Sequence, residues 1–125
     1  MATVLIVEDD EAIADALASL LEDAGHVAVS VREGRAALDA LRSGGRICAI
    51  LLDLTMPQMN GWRFREEQMR DPALARIPVI VCTADGDAEG RARELGAAGF
   101  VRKPIDPARL LALVAAHCEE PTARA

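Results

Sequence analysis

The sequence predicts an α/β domain built on a doubly wound, five-stranded parallel sheet. Three observations predict it. Short runs rich in Val, Ile and Leu alternate with segments of helical period along the whole chain, the pattern of a sheet covered by helices on both faces. The run Ile47-Cys48-Ala49-Ile50-Leu51-Leu52 is continuously apolar, as suits a strand buried on both sides. Four runs end in charged or reactive residues, and in open sheets of this kind sites form beyond the carboxyl ends of the strands.

The elements follow in order. The first strand covers about Thr3–Val7. The first helix runs from about Glu11 to Ala24, with Asp10 as its cap, Ile13, Leu17, Leu20, Leu21 and Ala24 on one face, and Gly25 as its stop. The second strand covers Val27–Val31. The second helix runs about Gly34–Arg42 with Ala37, Leu38 and Leu41 inward, and ends at Ser43-Gly44-Gly45. The third strand is about Cys48–Leu52. The third helix is about Trp62–Arg70; Arg65 and Gln68 interrupt its apolar face, and Asp71-Pro72 closes it. Pro78 sets up the fourth strand, about Val79–Cys82. The fourth helix, about Asp87–Leu95, is the weakest: it carries Gly86 and Gly90, each costing about 1 kcal/mol against Ala in a helix interior, and its inner face is mostly alanine. The fifth strand is about Gly99–Arg102. The fifth helix opens with Asp106 as N-cap and Pro107 in the first turn, then turns Leu110, Leu111, Val114 and Cys118 inward.

A chain of 125 residues is expected to form one domain with a real core, here residues 1–120, with 121–125 as a short tail. Aromatics are only 2% of residues, so that core must be aliphatic. The net charge of −6 argues against a nucleic-acid surface or attraction to acidic membranes. No apolar run is long enough to span a bilayer, and no basic stretch precedes an apolar one, so neither a membrane helix nor a secretory leader is expected. Cys48, Cys82 and Cys118 match no zinc or redox spacing. Cys48 and Cys82 read as small core residues, and the set suits a reducing cytoplasm.

The strand ends carry the chemistry. Val4-Leu5-Ile6-Val7 ends in Glu8-Asp9-Asp10, the third strand in Asp53, the fourth in Thr83-Ala84 and the fifth in Lys103-Pro104. Carboxylates crowded together raise one another's pKa, and a divalent cation removes the conflict. Glu8, Asp9 and Asp53 offer an oxygen-only site that suits magnesium better than zinc. The plain alternative for Glu8-Asp9-Asp10 is an acidic helix start favoured by the helix dipole. An Asp carboxylate can also act as a nucleophile and form an aspartyl-phosphate, whose charge then needs a cation beside it. Lys103 is the only lysine in the chain, and a cis bond to Pro104 would fix its aim. Thr83 offers a hydroxyl to a phosphoryl oxygen.

Together, Val7-Glu8-Asp9-Asp10, Leu52-Asp53-Leu54-Thr55-Met56-Pro57-Gln58-Met59-Asn60-Gly61, Thr83-Ala84 and Lys103-Pro104 resemble the receiver domains of two-component response regulators. The resemblance covers essentially the whole chain. It implies a flavodoxin-like (βα)5 fold with strand order 2-1-3-4-5, carried over from a chemotaxis member of the family. It also implies roles: Asp53 as phosphoacceptor, Asp9 as direct metal ligand, Glu8 acting mainly through water, and the Thr55 backbone carbonyl as a further ligand. The ion would be Mg2+, with Mn2+ as an alternative. Thr83 would follow the phosphate, Lys103 would pair with it, and Phe100 falls at the switch aromatic. Thr55 and Asp85 would tune the phosphoryl lifetime.

The function expected from this resemblance is a phosphorelay switch, not an enzyme acting on other substrates. It would accept a phosphoryl group from a histidine kinase or histidine phosphotransfer protein, shift the face formed by the fourth helix, fifth strand and fifth helix, and slowly dephosphorylate itself. Partners would be a downstream target or fused output domain. Arg109, Ala112, Leu113 and Ala116 lie off the core stripe of the fifth helix with little charge and are expected to form a partner or homodimer surface. Two other readings compete. A phosphate-independent module of the same fold fits poorly with intact Asp9, Asp53, Thr83 and Lys103. A phosphohydrolase of the haloacid dehalogenase type needs a second Asp where Thr55 stands.

Overall fold

The computed structural model describes residues 3–43, 46–54, 61–84 and 86–118. Five strands, β1 (Thr3–Val7), β2 (Val27–Val31), β3 (Ile47–Asp53), β4 (Val79–Thr83) and β5 (Gly99–Arg102), form one parallel sheet in the order β2-β1-β3-β4-β5. The expected fold class and strand order are both met. Six helices are described: α1 (Glu11–Asp23), α2 (Gly34–Arg42), α3 (Gly61–Met69), α4 (Pro72–Ala75), α5 (Ala88–Leu95) and α6 (Pro107–Cys118). The fourth and fifth predicted helices are thus α5 and α6.

The two-residue period of the strands divides the core. Val4, Ile6, Ala49, Leu51, Ile80, Cys82 and Val101 face α1 and α6. Leu5, Val7, Ile50, Leu52, Val79 and Val81 face α2, α3 and α5. β1, β3 and β4 are central and almost wholly buried, which explains their unbroken apolar runs. The edge strand β2 leaves Val27 and Val29 exposed.

Predicted caps are in place. Asp10 accepts from the Ile13 amide at 3.1 Å and Asp106 from the Ala108 amide at 3.0 Å. Gly25 adopts φ 95° beyond α1, a backbone state glycine enters without penalty. Gly90 is less of a defect than its type suggests. It lies in the first turn of α5, where Asp87 accepts from its amide at 3.1 Å, and an added Cβ would collide with that carboxylate.

Four features depart from expectation. Asp71-Pro72 does not merely end α3: Asp71 accepts from the Ala73 amide and starts α4, with Pro72 at its first position. Arg65 and Gln68 do not weaken α3 packing; they are its buried polar core, 9% and 0% exposed. Arg65 donates to the carbonyls of Leu95 (2.9 Å) and Gly96 (3.0 Å) at the end of α5, and to Gln68 Oε1 (2.8 Å). Gln68 in turn donates to the carbonyls of Leu74 and Ile77. Leu113, expected to lie off the core stripe, packs half-buried against the core. It fills the gap left by Gly99, where a Cβ would stand 3.0 Å from Leu113 Cδ2. Finally, Cys48 and Cys118 are not separate core residues. α6 crosses the start of β3, their Cα atoms lie 5.2 Å apart, and a disulfide joins them. Cys82 is free and buried, as expected.

The Arg65–Gln68 pair yields a test. Gln68→Leu keeps the volume but takes a donor from the half-buried Ile77 carbonyl and an acceptor from the buried Arg65 guanidinium, while the Leu74 carbonyl keeps its bond from the Ile77 amide. Two groups short of a partner cost about 1–3 kcal/mol each, so the variant should lose roughly 2–6 kcal/mol. Urea unfolding should show a lower midpoint with unchanged slope; an unchanged midpoint would mean the network adds nothing.

Candidate functional site

The sheet register levels the strand ends. Val7 pairs with Leu52, Asp53 with Cys82, and Thr83 with Arg102. Glu8 and Asp53 therefore emerge side by side, and Lys103 follows one residue beyond β5. Side-chain parity sorts them further. Glu8 continues the row of Val4 and Ile6, Asp53 that of Ala49 and Leu51, and Lys103 that of Val101. All three lie toward α1 and α6. Thr83 and Phe100 continue the opposite face, toward α5.

Lys103 Nζ lies 3.1 Å from Glu8 Oε1 and 3.7 Å from Asp53 Oδ2. The Lys103–Pro104 peptide is cis, as the turn suggested. The Lys103 amide donates to the Thr83 carbonyl at 2.8 Å, tying the two loops together. Glu8 also accepts from the Asp10 amide at 3.2 Å. Oxygen atoms of Glu8, Asp9 and Asp53 come within 4.8 Å of one another. Such an all-oxygen donor set fits a hard divalent cation. Glu8, Asp53 and Thr83 are buried while Asp9 is half-exposed, so the cluster opens to solvent on the Asp9 side.

Burial sets the protonation. Taking Glu8 out of water, with the Asp53 charge beside it, pushes its carboxyl up to about 7. Burial alone would lower Lys103, but the hydrogen bond to Glu8 and the Asp53 charge outweigh it and hold the ammonium above its ordinary range. Burial likewise pushes the Cys82 thiol, next in the sheet to Asp53, up to about 12.

A cleft of about 400 Å³ opens over Asp53 and is lined by Trp62, Thr83, Arg91 and Lys103 among others. Trp62 and Arg91 were not anticipated. Arg91 projects from the first half of α5, and nothing in its sequence neighbourhood marks it apart from the other arginines. Gly61 holds the floor: its amide donates to the Leu54 carbonyl at 3.1 Å, and a Cβ would meet Leu54 at 2.7 Å. Phe100 is half-buried, with the Arg109 guanidinium 4.8 Å over its ring and Arg109 Nε donating to its carbonyl at 3.1 Å. Thr55 and Asp85 lie outside the described residues.

The family model for the response regulator receiver domain matches residues 4–115. The chain belongs to this family. As a receiver domain it is a component of two-component signalling. Among similar proteins, Rrf1 of Nitratidesulfovibrio vulgaris is 36% identical over 113 residues, covering 90% of this chain and 80% of that protein. The polar-differentiation response regulator DivK of Brucella anthropi is 33% identical, covering 92% and 94%. The sensory transduction protein RegX3 of Mycobacterium bovis is 41% identical over 119 residues, and the chain spans only half of its length. Among solved structures, the chemotaxis protein CheY4 of Vibrio cholerae superposes with a TM-score of 0.84 at 28% identity, covering 94% of this chain and 98% of that one. No helix among the described residues is long and apolar enough to cross a membrane.

The receiver's acid cluster has a definite pH signature. Glu8 titrates near 4.5 when unfolded and near 7 when folded. Between those values the folded state holds a proton that the unfolded state lacks. Its contribution to stability is therefore full below the lower value and falls as the pH rises toward the upper one. A cation entering the cluster must displace that proton. Calorimetric titration with Mg2+ should show affinity roughly tenfold weaker one pH unit below the Glu8 midpoint than one unit above it; equal affinities would contradict the assignment.

Proposed function

We propose that Asp53 is the phosphoacceptor of this receiver. The observation that carries this reading is the convergence of Glu8, Asp9 and Asp53 beside the chain's only lysine. The donor is the phosphohistidine of a sensor kinase or histidine phosphotransfer protein. An Asp53 carboxylate oxygen attacks phosphorus, the bond to the histidine nitrogen breaks, and an acyl phosphate forms. Lys103, already 3.7 Å from Asp53, gives fixed positive charge to the arriving oxygens. The Thr83 hydroxyl donates to another of them.

Glu8, Asp9, Asp53 and the backbone carbonyl of Thr55 are the residues that would hold Mg2+, with Mn2+ as an alternative. When bound, such an ion neutralises charge on the phosphoryl oxygens. Attack by water on phosphorus later releases phosphate and restores the Asp53 carboxylate. Thr55 and Asp85 set the pace of that loss. The chain carries out this chemistry on itself and needs no other substrate.

The phosphoryl group adds close to two negative charges. Thr83 moves toward it, and Phe100, on the same face of the sheet, turns inward; Arg109 must then release the Phe100 ring. α5 is the element that yields: its buried face is Ala88, Ala92 and Leu95, so little packing holds it. The α5–β5–α6 face, including exposed Arg109, Ala112 and Ala116, controls a downstream target, a fused output domain or a second copy. Kinase-dependent phosphorylation of this kind fits the cytoplasm.

Intact mass after incubation with acetyl phosphate and Mg2+ should show one added phosphoryl group in the wild type and none in Asp53→Asn. Addition that survives in the variant would move the acceptor elsewhere. Hydrogen exchange should then report the response. With beryllofluoride, amides of α5 and of residues 83–87 should change protection by several-fold while β1 and β3 stay constant. Unchanged α5 would sink the proposed route.

A further inference from the structure

We infer that Cys48 and Cys118 form a reversible redox modification site, a thiol pair that a low-molecular-weight disulfide converts into a staple between β3 and α6. The inference rests on the phosphoreceiver reading in one respect: a kinase-served domain in a reducing compartment meets disulfides as transient, redox-linked bonds rather than permanent ones.

The geometry is built by packing that does not need the bond. Leu110 and Val114 of α6 and Ala49 and Leu51 of β3 belong to one buried cluster. Cys118 is the last residue of α6, one turn beyond Val114, and Cys48 is the second residue of β3. The fold thus brings together two thiols 70 residues apart. The third cysteine does not compete. Cys82 is 2% exposed inside β4, whereas Cys48 is only half-buried and open to a small reagent. Both paired cysteines lie at the opposite end of the sheet from Asp53, the last residue of β3. The staple therefore fixes the final turn of α6, part of the proposed output face, without touching the acid cluster.

The reaction is thiol–disulfide exchange. One cysteine thiolate attacks the small disulfide and expels a thiolate. The second attacks the resulting mixed disulfide and expels the other. One protein disulfide and two small thiols result; the protein gives up two electrons, and its two thiol protons pass to the leaving thiolates. Closing a loop this long restricts the unfolded chain, so the oxidised form is the more stable one.

The test uses the full chain, reduced and then exposed to oxidised glutathione. Alkylation in denaturant should count three thiols before and one after, digestion should yield a peptide linking Cys48 to Cys118, and reduced glutathione should restore all three. Oxidation should raise Tm by on the order of 10 °C, with no such rise in Cys48→Ser or Cys118→Ser. Because linked-peptide mapping is done on the wild type, the test stands even if a variant folds poorly. Three thiols persisting under oxidant, a link between two chains, or a link through Cys82 would overturn the proposal. Acetyl phosphate is scored separately. A reduced pair that resists oxidation in protein phosphorylated at Asp53 sinks the redox site alone. A pair that cycles in protein that takes no phosphate there supports the redox site and sinks the receiver chemistry alone.

Discussion

One ammonium group holds the end of this sheet together. Lys103 reaches Glu8 and Asp53 at once, and without it two buried carboxylates would face each other across adjacent strands. Buried charge is tolerable only when paired, so the position of Lys103 constrains everything around it. It fixes the loop after β5 against the loop after β4, through the bond from its own amide to Thr83. Three carboxylates, those of Glu8, Asp9 and Asp53, gather beside it. Burial first, and the Asp53 charge second, make Glu8 hold its proton to about pH 7. A bound cation or an incoming phosphoryl group changes this balance, which is why a site so quiet in structural terms is sensitive in chemical ones.

The second constraint is the Arg65–Gln68 network. Helix C-termini leave carbonyls without partners, and α5 ends with two of them answered by Arg65 from α3. The two ends of α5 are therefore held differently. Its end is bonded to a buried guanidinium, itself held by Gln68. Its start depends on the Asp87 cap and on small alanine contacts. In the proposed response, displacement at the Thr83 end would hinge about the Arg65 end, tilting one helix rather than loosening the whole face.

Most of this architecture is legible in the sequence because it rests on local rules. Strand burial, caps at Asp10 and Asp106, the stop at Gly25 and the reactive strand ends all depend on a few neighbouring residues. What was not legible depends on distant chain. α4 is only four residues long, too short to show a period, although Asp71-Pro72 carries the same cap-and-proline signal as Asp106-Pro107. Arg65 and Gln68 look like defects until α4 and α5 supply carbonyls. Leu113 looks outward until Gly99 is seen to lack a side chain beside it. Cys48 and Cys118 have no meaningful spacing until α6 lies across β3. Trp62 and Arg91 join the cleft only through the way α3 and α5 enter it.

The parity of the strands separates chemistry from response. Glu8, Asp53 and Lys103 fall on the α1–α6 side of the sheet edge, while Thr83 and Phe100 fall on the α5 side. Thr83 is bonded to both worlds: its side chain belongs to the α5 face, and its carbonyl accepts from the Lys103 amide. In the proposed switch, a change at Asp53 has two ways to α5: across the sheet end through Lys103 and Thr83, and across the cleft that Asp53 shares with Arg91. On the Thr83 side of the sheet stands Phe100, capped by Arg109 of α6 and packed against the cluster that holds Ala92 and Leu95 of α5. The proposed output face takes one helix from each side of the sheet: α5 lies on the face of Thr83 and Phe100, and α6 on the opposite face with α1. The Arg65 network is bonded to the end of α5, and the Cys48–Cys118 bond ties the end of α6 to β3.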